Sequence, residues 1–195
     1  MSLNLFIIGP SGSGKSTQAK LVAQKYNLTH FSMGQLLRDE IATGSRLGLD
    51  AKTHVDGGTP VPDDIVLPIL SEKLKNLNYQ NFIVDGFPRL VVQGHYIDRF
   101  LVDKAQQTTL LIHLLVDFEE IVLRRQKAGQ QFQNDVIRTD NTPEAIANRQ
   151  KILYEANINP VLQYYRSQNK LFEVDGNRPI EPIFQDICLQ IEKIK

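Results

Sequence analysis

The sequence has very little cysteine, no excess of charge of either sign and no long hydrophobic run. Cys188 is the only cysteine among 195 residues, so an internal disulfide and a zinc site built from several thiolates are both excluded. The four histidines, at positions 30, 54, 95 and 113, are too scattered along the chain for metal-ligand spacing. The composition therefore gives no indication of a structural metal centre.

The charge balance excludes a general attraction to polyanions. Lys and Arg number 22, as do Asp and Glu, so the formal net charge is +0 at pH 7. Without a net field, any anion must be bound by a local cluster. The longest apolar run, within residues 108–116, is too short to span a membrane, and the N-terminus lacks signal-peptide features. We expect a cytoplasmic globular protein with no nucleic-acid or membrane partner.

Short apolar runs alternate with longer amphipathic segments along the chain. The runs predict five strands, at 3–8, 29–31, 82–84, 110–116 and 171–174. The amphipathic segments predict helices at 15–26, 65–77, 118–127, 143–156 and 182–194. Strands that alternate with helices form a parallel sheet with helices on both faces. The hydrophobic content of 42% is sufficient for one such core.

A glycine-rich segment directly follows the first predicted strand. Residues Gly9 to Ser16 read GPSGSGKS and match the phosphate-binding pattern G-x-x-x-x-G-K-[ST]. Glycines let backbone N–H groups surround a phosphate, and the N-terminus of the next predicted helix adds its dipole. Lys15 would reach the β- and γ-phosphates, and the Ser16 hydroxyl would bind Mg²⁺. Neither the G-x-S-x-G nor the G-x-G-x-x-G pattern occurs, so the segment predicts a nucleotide phosphate site.

A second motif, DGFPR, spans Asp85 to Arg89 and follows the predicted strand 82–84. Because the carboxyl ends of parallel strands share one edge of a sheet, we expect Asp85 near the glycine-rich segment. Its carboxylate suits a Mg²⁺ ion or the water bound to it, and Arg89 can bind a phosphate through two parallel hydrogen bonds. Taken alone, the motif is equally consistent with a strand-ending turn beside a solvated arginine.

The motifs together resemble those of the nucleoside monophosphate kinases, and most closely those of the adenylate kinase family. The resemblance runs nearly from end to end. It rests on GPSGSGKSTQ (9–18), HFSMGQLLR (30–38), PVPDDI (60–65), DGFPR (85–89), Gln93, Arg124, RTDN (138–141), Arg149, Pro160 with Tyr164 and Tyr165, and VDG (174–176). Gln93, four residues past the DGFPR arginine, and the spacing of eleven between Arg138 and Arg149 are typical of that family.

The resemblance implies an α/β fold of the P-loop NTPase type. A five-stranded parallel sheet with helices on both faces would carry a small helical insert that binds the monophosphate, and a short lid. The whole chain, 1–195, would form one domain, with the insert at about 32–61 and the lid at about 125–137. Lids that carry zinc use cysteines, and this segment has none, so no structural zinc is expected.

The resemblance also assigns residues to two nucleotides. ATP would contact the glycine-rich segment and two arginines, namely Gly9, Gly12, Ser13, Gly14, Lys15, Ser16, Thr17, Arg124 and Arg178. AMP would contact the insert, the DGFPR region and the segment around the lid, through Ser32, Met33, Arg38, Val55, Thr59, Val61, Gly86, Arg89, Gln93, Arg138 and Arg149. Gln93 would read adenine, because an amide offers the paired donor and acceptor that this base requires.

Phosphoryl transfer between two bound nucleotides depends mainly on alignment of the nucleotides and on positive charge around the transferred group. The protein does not need to form a covalent intermediate. The resemblance assigns that catalytic charge to Lys15, Arg89, Arg124, Arg138 and Arg149. Mg²⁺ would accompany ATP, bound by Ser16 and Asp85 partly through water. The partners would be the small molecules ATP, AMP and ADP, and we expect a monomer.

Four positions depart from the family pattern. Ser16 stands where glycine is usual, and it restores a possible direct Mg²⁺ ligand. Met33 replaces a threonine beside the acceptor base, and Gln35 replaces an aspartate. Ala128 occupies the position of a second lid arginine. We expect these changes to slow the reaction or to widen the range of acceptors without removing kinase activity.

Two alternatives remain open. One is a UMP/CMP-type or broad-specificity nucleoside monophosphate kinase, although the UMP/CMP type would be expected to have asparagine at the position of Gln93. The other is a nucleotide-binding protein that has lost catalysis. The retention of three arginines argues against that alternative, because binding alone does not require positive charge on both sides of the cleft between the two nucleotides. These arginines are Arg89, Arg138 and Arg149.

The lid sequence predicts how the protein responds to metal removal. Residues 129–141 contain neither Cys nor His, so elemental analysis should find no stoichiometric zinc, and EDTA should leave Tm unchanged. Nucleotide transfer should stop in EDTA and return when Mg²⁺ is added. One zinc ion per chain would contradict the short-lid interpretation.

Overall fold

The computed structural model describes residues 2–57, 59, 61–131, 154 and 156–195. The strands in these residues are β1 (Asn4–Ile8), β2 (Thr29–Ser32), β3 (Phe82–Asp85), β4 (Leu110–Leu115) and β5 (Leu171–Asp175). The helices are α1 (Lys15–Tyr26), α2 (Met33–Thr43), α3 (Arg46–Asp56), α4 (Asp63–Lys75), α5 (Val91–Val102), α6 (Phe118–Gln131), α7 (Ala156–Ser167) and α8 (Ile180–Ile194). None of these helices is long and apolar enough to span a membrane.

The five strands form one parallel sheet in the order β2-β3-β1-β4-β5. The predicted strands are confirmed to within one residue at each end. All five residues of β1 are buried. Strands β2 and β3 lie on one side of β1, and β4 and β5, which come later in the chain, lie on the other side, so the direction of strand addition reverses at β1. In such sheets ligands bind at the carboxyl ends of the strands beside this reversal.

Helices cover both faces of the sheet, as predicted. On one face, Phe6 of β1 packs with apolar residues of α2, α3, α4, α5 and α7. On the other face, Leu5 and Ile7 pack with apolar residues of α1, α6 and α8. Because successive side chains of a strand point to opposite faces, β1 contributes to both cores at once. This double burial explains why its sequence is a continuous apolar run.

Several helices differ from the prediction. Helices α4 and α8 begin two residues earlier than expected, and α6 continues to Gln131, inside the range predicted for the lid. Helix α5 was not predicted, and α7 lies almost wholly beyond the predicted helix 143–156, which itself falls mostly outside the described residues. The predicted insert contains α2 and α3.

Packing explains why α5 and α7 form despite unfavourable residues. A Cβ on Gly94 of α5 would lie 3.3 Å from ring atoms of both Tyr164 and Tyr165 of α7, so the glycine that weakens the helix also permits close approach. Asp98, one turn further along α5, accepts a hydrogen bond of 2.9 Å from the Tyr164 hydroxyl and another from Thr108. Burial, followed by this bond to Asp98, raises the pKa of Tyr164 to about 12, so its hydroxyl remains a donor.

A second buried polar group lies on β4. His113 is 4% exposed, and its Nδ1 is 3.2 Å from Glu173 Oε1 of β5, while its Nε2 contacts the Tyr154 hydroxyl. A carboxylate only accepts hydrogen bonds, so Nδ1 carries a hydrogen, and because burial lowers the pKa of His113, the ring is neutral near pH 7 and Nε2 accepts from Tyr154. Arg166 binds the other oxygen of Glu173 at 2.7 Å. The imidazole is therefore neutral and fully engaged in the folded protein.

This arrangement predicts a loss of stability in mild acid. Burial lowers the pKa of His113, partly opposed by Glu173, so the folded chain resists a proton that the unfolded chain accepts below about pH 6.5. The free energy of unfolding should fall between pH 7 and pH 5.5 by up to about 1 kcal/mol from this group.

The variant His113→Gln retains a donor and an acceptor but does not titrate in this range. Urea unfolding at both pH values should show a smaller loss of stability for the variant than for the wild type. Equal losses would show that His113 does not carry the effect.

Candidate active site

The glycine-rich segment forms the loop between β1 and α1. Gly9, Gly12 and Gly14 have φ values of +154°, +94° and +94°, in the region that side chains disfavour. A Cβ on Gly9 would lie 3.0 Å from the Leu114 carbonyl oxygen and from the Ser13 hydroxyl. Glycines therefore both allow the turn of this loop and keep its inner surface open, as a site for phosphate requires.

The N-terminus of α1 gives the loop a positive character. Gly14 is the N-cap, and the first turn of α1 contains no acidic residue, so the helix dipole and the first backbone N–H groups favour an anion. Lys15 Nζ donates a hydrogen bond of 2.8 Å to the Pro10 carbonyl across the loop. The Ser13 hydroxyl is buried without a hydrogen-bond partner among the described residues.

Asp85 lies beside this loop because β3 pairs with β1, with Asp85 opposite Ile7. Its Oδ2 is 3.0 Å from His30 Nε2, which donates because the carboxylate can only accept. Burial alone would raise the pKa of Asp85, but hydrogen bonds from His30 and Ser16 and the charge of Lys15 lower it below its usual value. The result is a buried carboxylate that stays charged next to the phosphate loop.

His30 was not predicted as part of this group. It occurs in the HFSMGQLLR motif, but the sequence alone does not pair it with Asp85. The signal available was positional, because His30 lies in β2 and Asp85 ends the adjacent strand β3. Only the register of the two strands brings the imidazole to the carboxylate.

Arg124 of α6 connects the phosphate loop to the turn after β5. Its Nη1 donates to the Ser13 carbonyl at 2.9 Å and its Nη2 to the Gly176 carbonyl at 2.6 Å, while Nε pairs with Glu120 at 2.7 Å. Arg178, in the same turn as Gly176, has its side chain on Asp186 at 2.6 Å. The residues that the sequence predicted to contact ATP thus lie together at one end of the sheet.

On the opposite side of the loop, Arg89 belongs to the turn between β3 and α5. Its Nε donates to the Gly86 carbonyl at 3.1 Å, and Gly86 has a φ of +82°. Gln93, which was predicted to read a base, is 2% exposed, and its Oε1 accepts from the backbone N–H of Arg89 at 2.9 Å and of Leu90 at 3.4 Å. The amide oxygen thus has backbone partners that the prediction did not include.

The remaining predicted acceptor residues lie on and around α2 and α3. Ser32 is the N-cap of α2, and Met33, its first residue, is buried in the core. Val61 is buried, whereas Val55 is exposed, and Thr59 contacts His54. Arg138 and Arg149 lie outside the described residues, so their predicted place across the cleft stays a prediction.

Arg38 makes one of its contacts with a neutral side chain. Its Nη2 donates to Gln35 Oε1 at 2.6 Å, and Gln35 Nε2 donates to Asp39 Oδ1 at 2.7 Å. Gln35 therefore stands between the guanidinium and the Asp39 carboxylate. An aspartate at position 35 would instead place a second negative charge beside the arginine.

The described residues contain no group of three or more His, Cys, Asp or Glu side chains that would hold a metal ion by themselves. Mg²⁺ bound with a nucleotide needs only one or two protein ligands, because phosphates and water supply the rest. The Ser16 hydroxyl and the Asp85 carboxylate, whose pKa Ser16 helps to lower, fit that requirement.

The parallel sheet, the glycine loop between β1 and α1 and the carboxylate on the adjacent strand define a nucleotide-binding protein of the P-loop NTPase class. A family model described as adenylate kinase matches residues 7–170. The chain belongs to the adenylate kinase family, and it is accordingly a phosphotransferase, a nucleoside monophosphate kinase.

Individual relatives match along almost the whole chain. Adenylate kinase from Archaeoglobus fulgidus is 33% identical, over 99% of this chain and 100% of its own length. Adenylate kinase from Nitrobacter hamburgensis is 35% identical, over 98% of this chain and 93% of its own. Adenylate kinase from Bacteroides thetaiotaomicron is 32% identical, over 98% of this chain and 100% of its own length. The similarity thus covers the phosphate loop, the DGFPR turn and the segment that contains Arg138 and Arg149.

The neutral contact of Arg38 predicts the effect of a charge at position 35. Gln35→Glu should raise the KM for AMP about two- to fivefold, because an exposed ion pair of about 0.5–1 kcal/mol would compete with the acceptor phosphate for Arg38. The KM for ATP should not change. Asp39→Asn serves as the control and should not raise the KM for AMP. An unchanged KM in Gln35→Glu would show that Arg38 does not meet the acceptor phosphate.

Proposed function

We propose that this protein transfers the terminal phosphoryl group of Mg-ATP to AMP and so forms two molecules of ADP. The observation that carries the proposal is the convergence of three groups at the carboxyl ends of β1 and β3. These groups are the glycine loop with Lys15, the charged Asp85 beside it, and Arg89 on the next turn. A loop for donor phosphates next to an arginine for a second phosphate is what direct transfer between two nucleotides requires.

The donor would lie on the side of the loop that faces Arg124. Backbone N–H groups of the loop and Lys15 would hold the phosphates, while Arg124 would lie against the base and the backbone near Arg178 would contact its edge. In the structure, Arg124 joins the loop to the turn that contains Arg178 through the Ser13 and Gly176 carbonyls. These contacts support a donor site whose phosphate and base regions are held together before ATP binds.

The acceptor would lie between α2 and the DGFPR turn. Arg38 and Arg89 would bind its phosphate from this side, and Arg138 and Arg149 would approach from the other. Gln93 would contact the base. The burial of Met33 and the backbone contacts of Gln93 Oε1 favour modest selection between bases, so a broad-specificity nucleoside monophosphate kinase is the second candidate.

When bound with ATP between Ser16 and Asp85, Mg²⁺ would neutralise phosphate charge and help to align the transferred group. The protein itself would contribute position, fixed positive charge and exclusion of water when the insert and the lid close. No side chain is required as a general base. We expect a monomer that acts on free nucleotides in the cytoplasm, and the balanced net charge gives it no general attraction to polyanions.

One acceptor panel tests the proposal. Purified protein with Mg-ATP should form ADP fastest with AMP, and more slowly with dAMP, GMP, CMP and UMP. Similar rates with several acceptors would favour the broad-specificity candidate. No ADP from any acceptor would refute kinase activity.

Within this assay, Lys15→Met should lower turnover by at least about two orders of magnitude, because it removes a preorganised charge at the phosphates. Lys20→Met, an exposed position on the same helix, is the matched control and should retain activity. Thermal unfolding establishes that both variants are folded. Near wild-type turnover in folded Lys15→Met would contradict the assignment of the loop.

A further inference from the structure

The side chain of Gln93 makes contacts that reading a base does not require. It is the third residue of α5 and is almost fully buried. Its Oε1 accepts the N–H of Arg89 at 2.9 Å and, with longer geometry, the N–H of Leu90 at 3.4 Å. The amide oxygen is thus occupied by two backbone N–H groups. To read a base, the same amide would have to present both its oxygen and its nitrogen to the nucleotide.

The local sequence explains these contacts. The N-cap of α5 is Leu90, whose apolar side chain cannot satisfy the free N–H groups at the start of the helix. A glutamine three residues after the N-cap can bend back and accept from the backbone there, as in one half of a capping box. Arg89 is exposed and Leu90 half-buried, but Gln93 itself is buried, so its amide oxygen gives these N–H groups a fixed protein partner.

Arg89 is consequently held at two points. Its main-chain N–H is bound by Gln93, and its Nε donates to the Gly86 carbonyl at 3.1 Å. Gly86 directly follows Asp85, the last residue of β3. The turn that carries the guanidinium is therefore fixed to the strand at one end and to α5 at the other.

Helix α5, which carries this attachment, packs closely against α7. Gly94, the neighbour of Gln93, leaves room for the rings of Tyr164 and Tyr165, which lie against it. One turn later the Asp98 carboxylate accepts from the Tyr164 hydroxyl at 2.9 Å and from Thr108. A displacement of the start of α5 would have to disturb this buried contact with α7.

We propose that Gln93 is a positioning residue for Arg89, in addition to any contact with the acceptor base. Its amide oxygen holds the Arg89 main chain, so that the guanidinium meets the transferred phosphoryl group in the correct place. Its amide nitrogen remains the end that meets the base. The inference rests on the proposed function, because the position of Arg89 affects turnover only in a phosphoryl transfer that uses it.

Two substitutions separate the functions of the two ends. Gln93→Leu removes both, so kcat should fall by about tenfold or more with AMP, CMP and UMP alike, since a misplaced catalytic group lowers every reaction that uses it. Gln93→Glu keeps an oxygen for the two N–H groups and loses the amide donor. It should recover most of kcat with all three acceptors, while its KM for AMP stays above that of the wild type.

The kinetic pattern decides between the possibilities. A loss of kcat in Gln93→Leu that is shared by all acceptors and restored in Gln93→Glu supports positioning. A loss confined to AMP, and equal in the two variants, would show that Gln93 only reads the base. An equal loss of kcat in both variants with every acceptor would also overturn the proposal, because the retained oxygen would then have no effect.

Amide hydrogen exchange gives a second test that does not depend on activity. In the wild type, the Arg89 N–H should exchange slowly although it precedes the helix, and in Gln93→Leu it should exchange faster while the N–H groups of β1 remain protected. Rapid exchange of Arg89 in the wild type would overturn the proposal even if the leucine variant does not fold. If the wild type formed no ADP, the proposed function would fail, whereas slow exchange would still support the contact itself.

Discussion

The position of every group at the phosphate site depends on the burial of β1. Its five residues contribute to the cores on both faces of the sheet, and the strand ends directly at Gly9. Because β3 pairs with β1 in a fixed parallel register, Asp85 lies beside the loop. Strand pairing alone is sufficient to place it there. A one-residue shift of that register would turn the Asp85 side chain to the opposite face.

Charge at this site is local and paired, in a protein without net charge. Lys15 and the N-terminus of α1 place positive charge at the glycine-rich loop, while Asp85 is kept ionised by His30, Ser16 and Lys15 although it is buried. Such a carboxylate is a suitable partner for a metal ion that arrives with a nucleotide. Because the net charge is zero, an anion would be attracted by the positive groups at this loop and not by the surface as a whole.

The arginines of the site are held through the backbone as much as through charge. Arg124 binds two carbonyls that belong to separate loops, and Arg89 is fixed by Gly86 and by Gln93. Placement of this kind costs little reorganisation when a highly charged group moves between two phosphates. Under the proposed function, a residue that holds one of these arginines would influence the reaction without itself touching the transferred phosphoryl group.

The sequence by itself determined the five strands and the phosphate loop, because a doubly buried strand is a continuous apolar run and the loop is defined by adjacent residues. The tertiary structure alone decided that α5 and α7 form, since Gly94 and Pro160 disfavour a helix until the rings of α7 pack against α5. It also decided that His30 meets Asp85 and that Gln35 separates Arg38 from Asp39. Residue types and spacing do not specify strand register or side-chain direction, and those two quantities determine which polar groups touch.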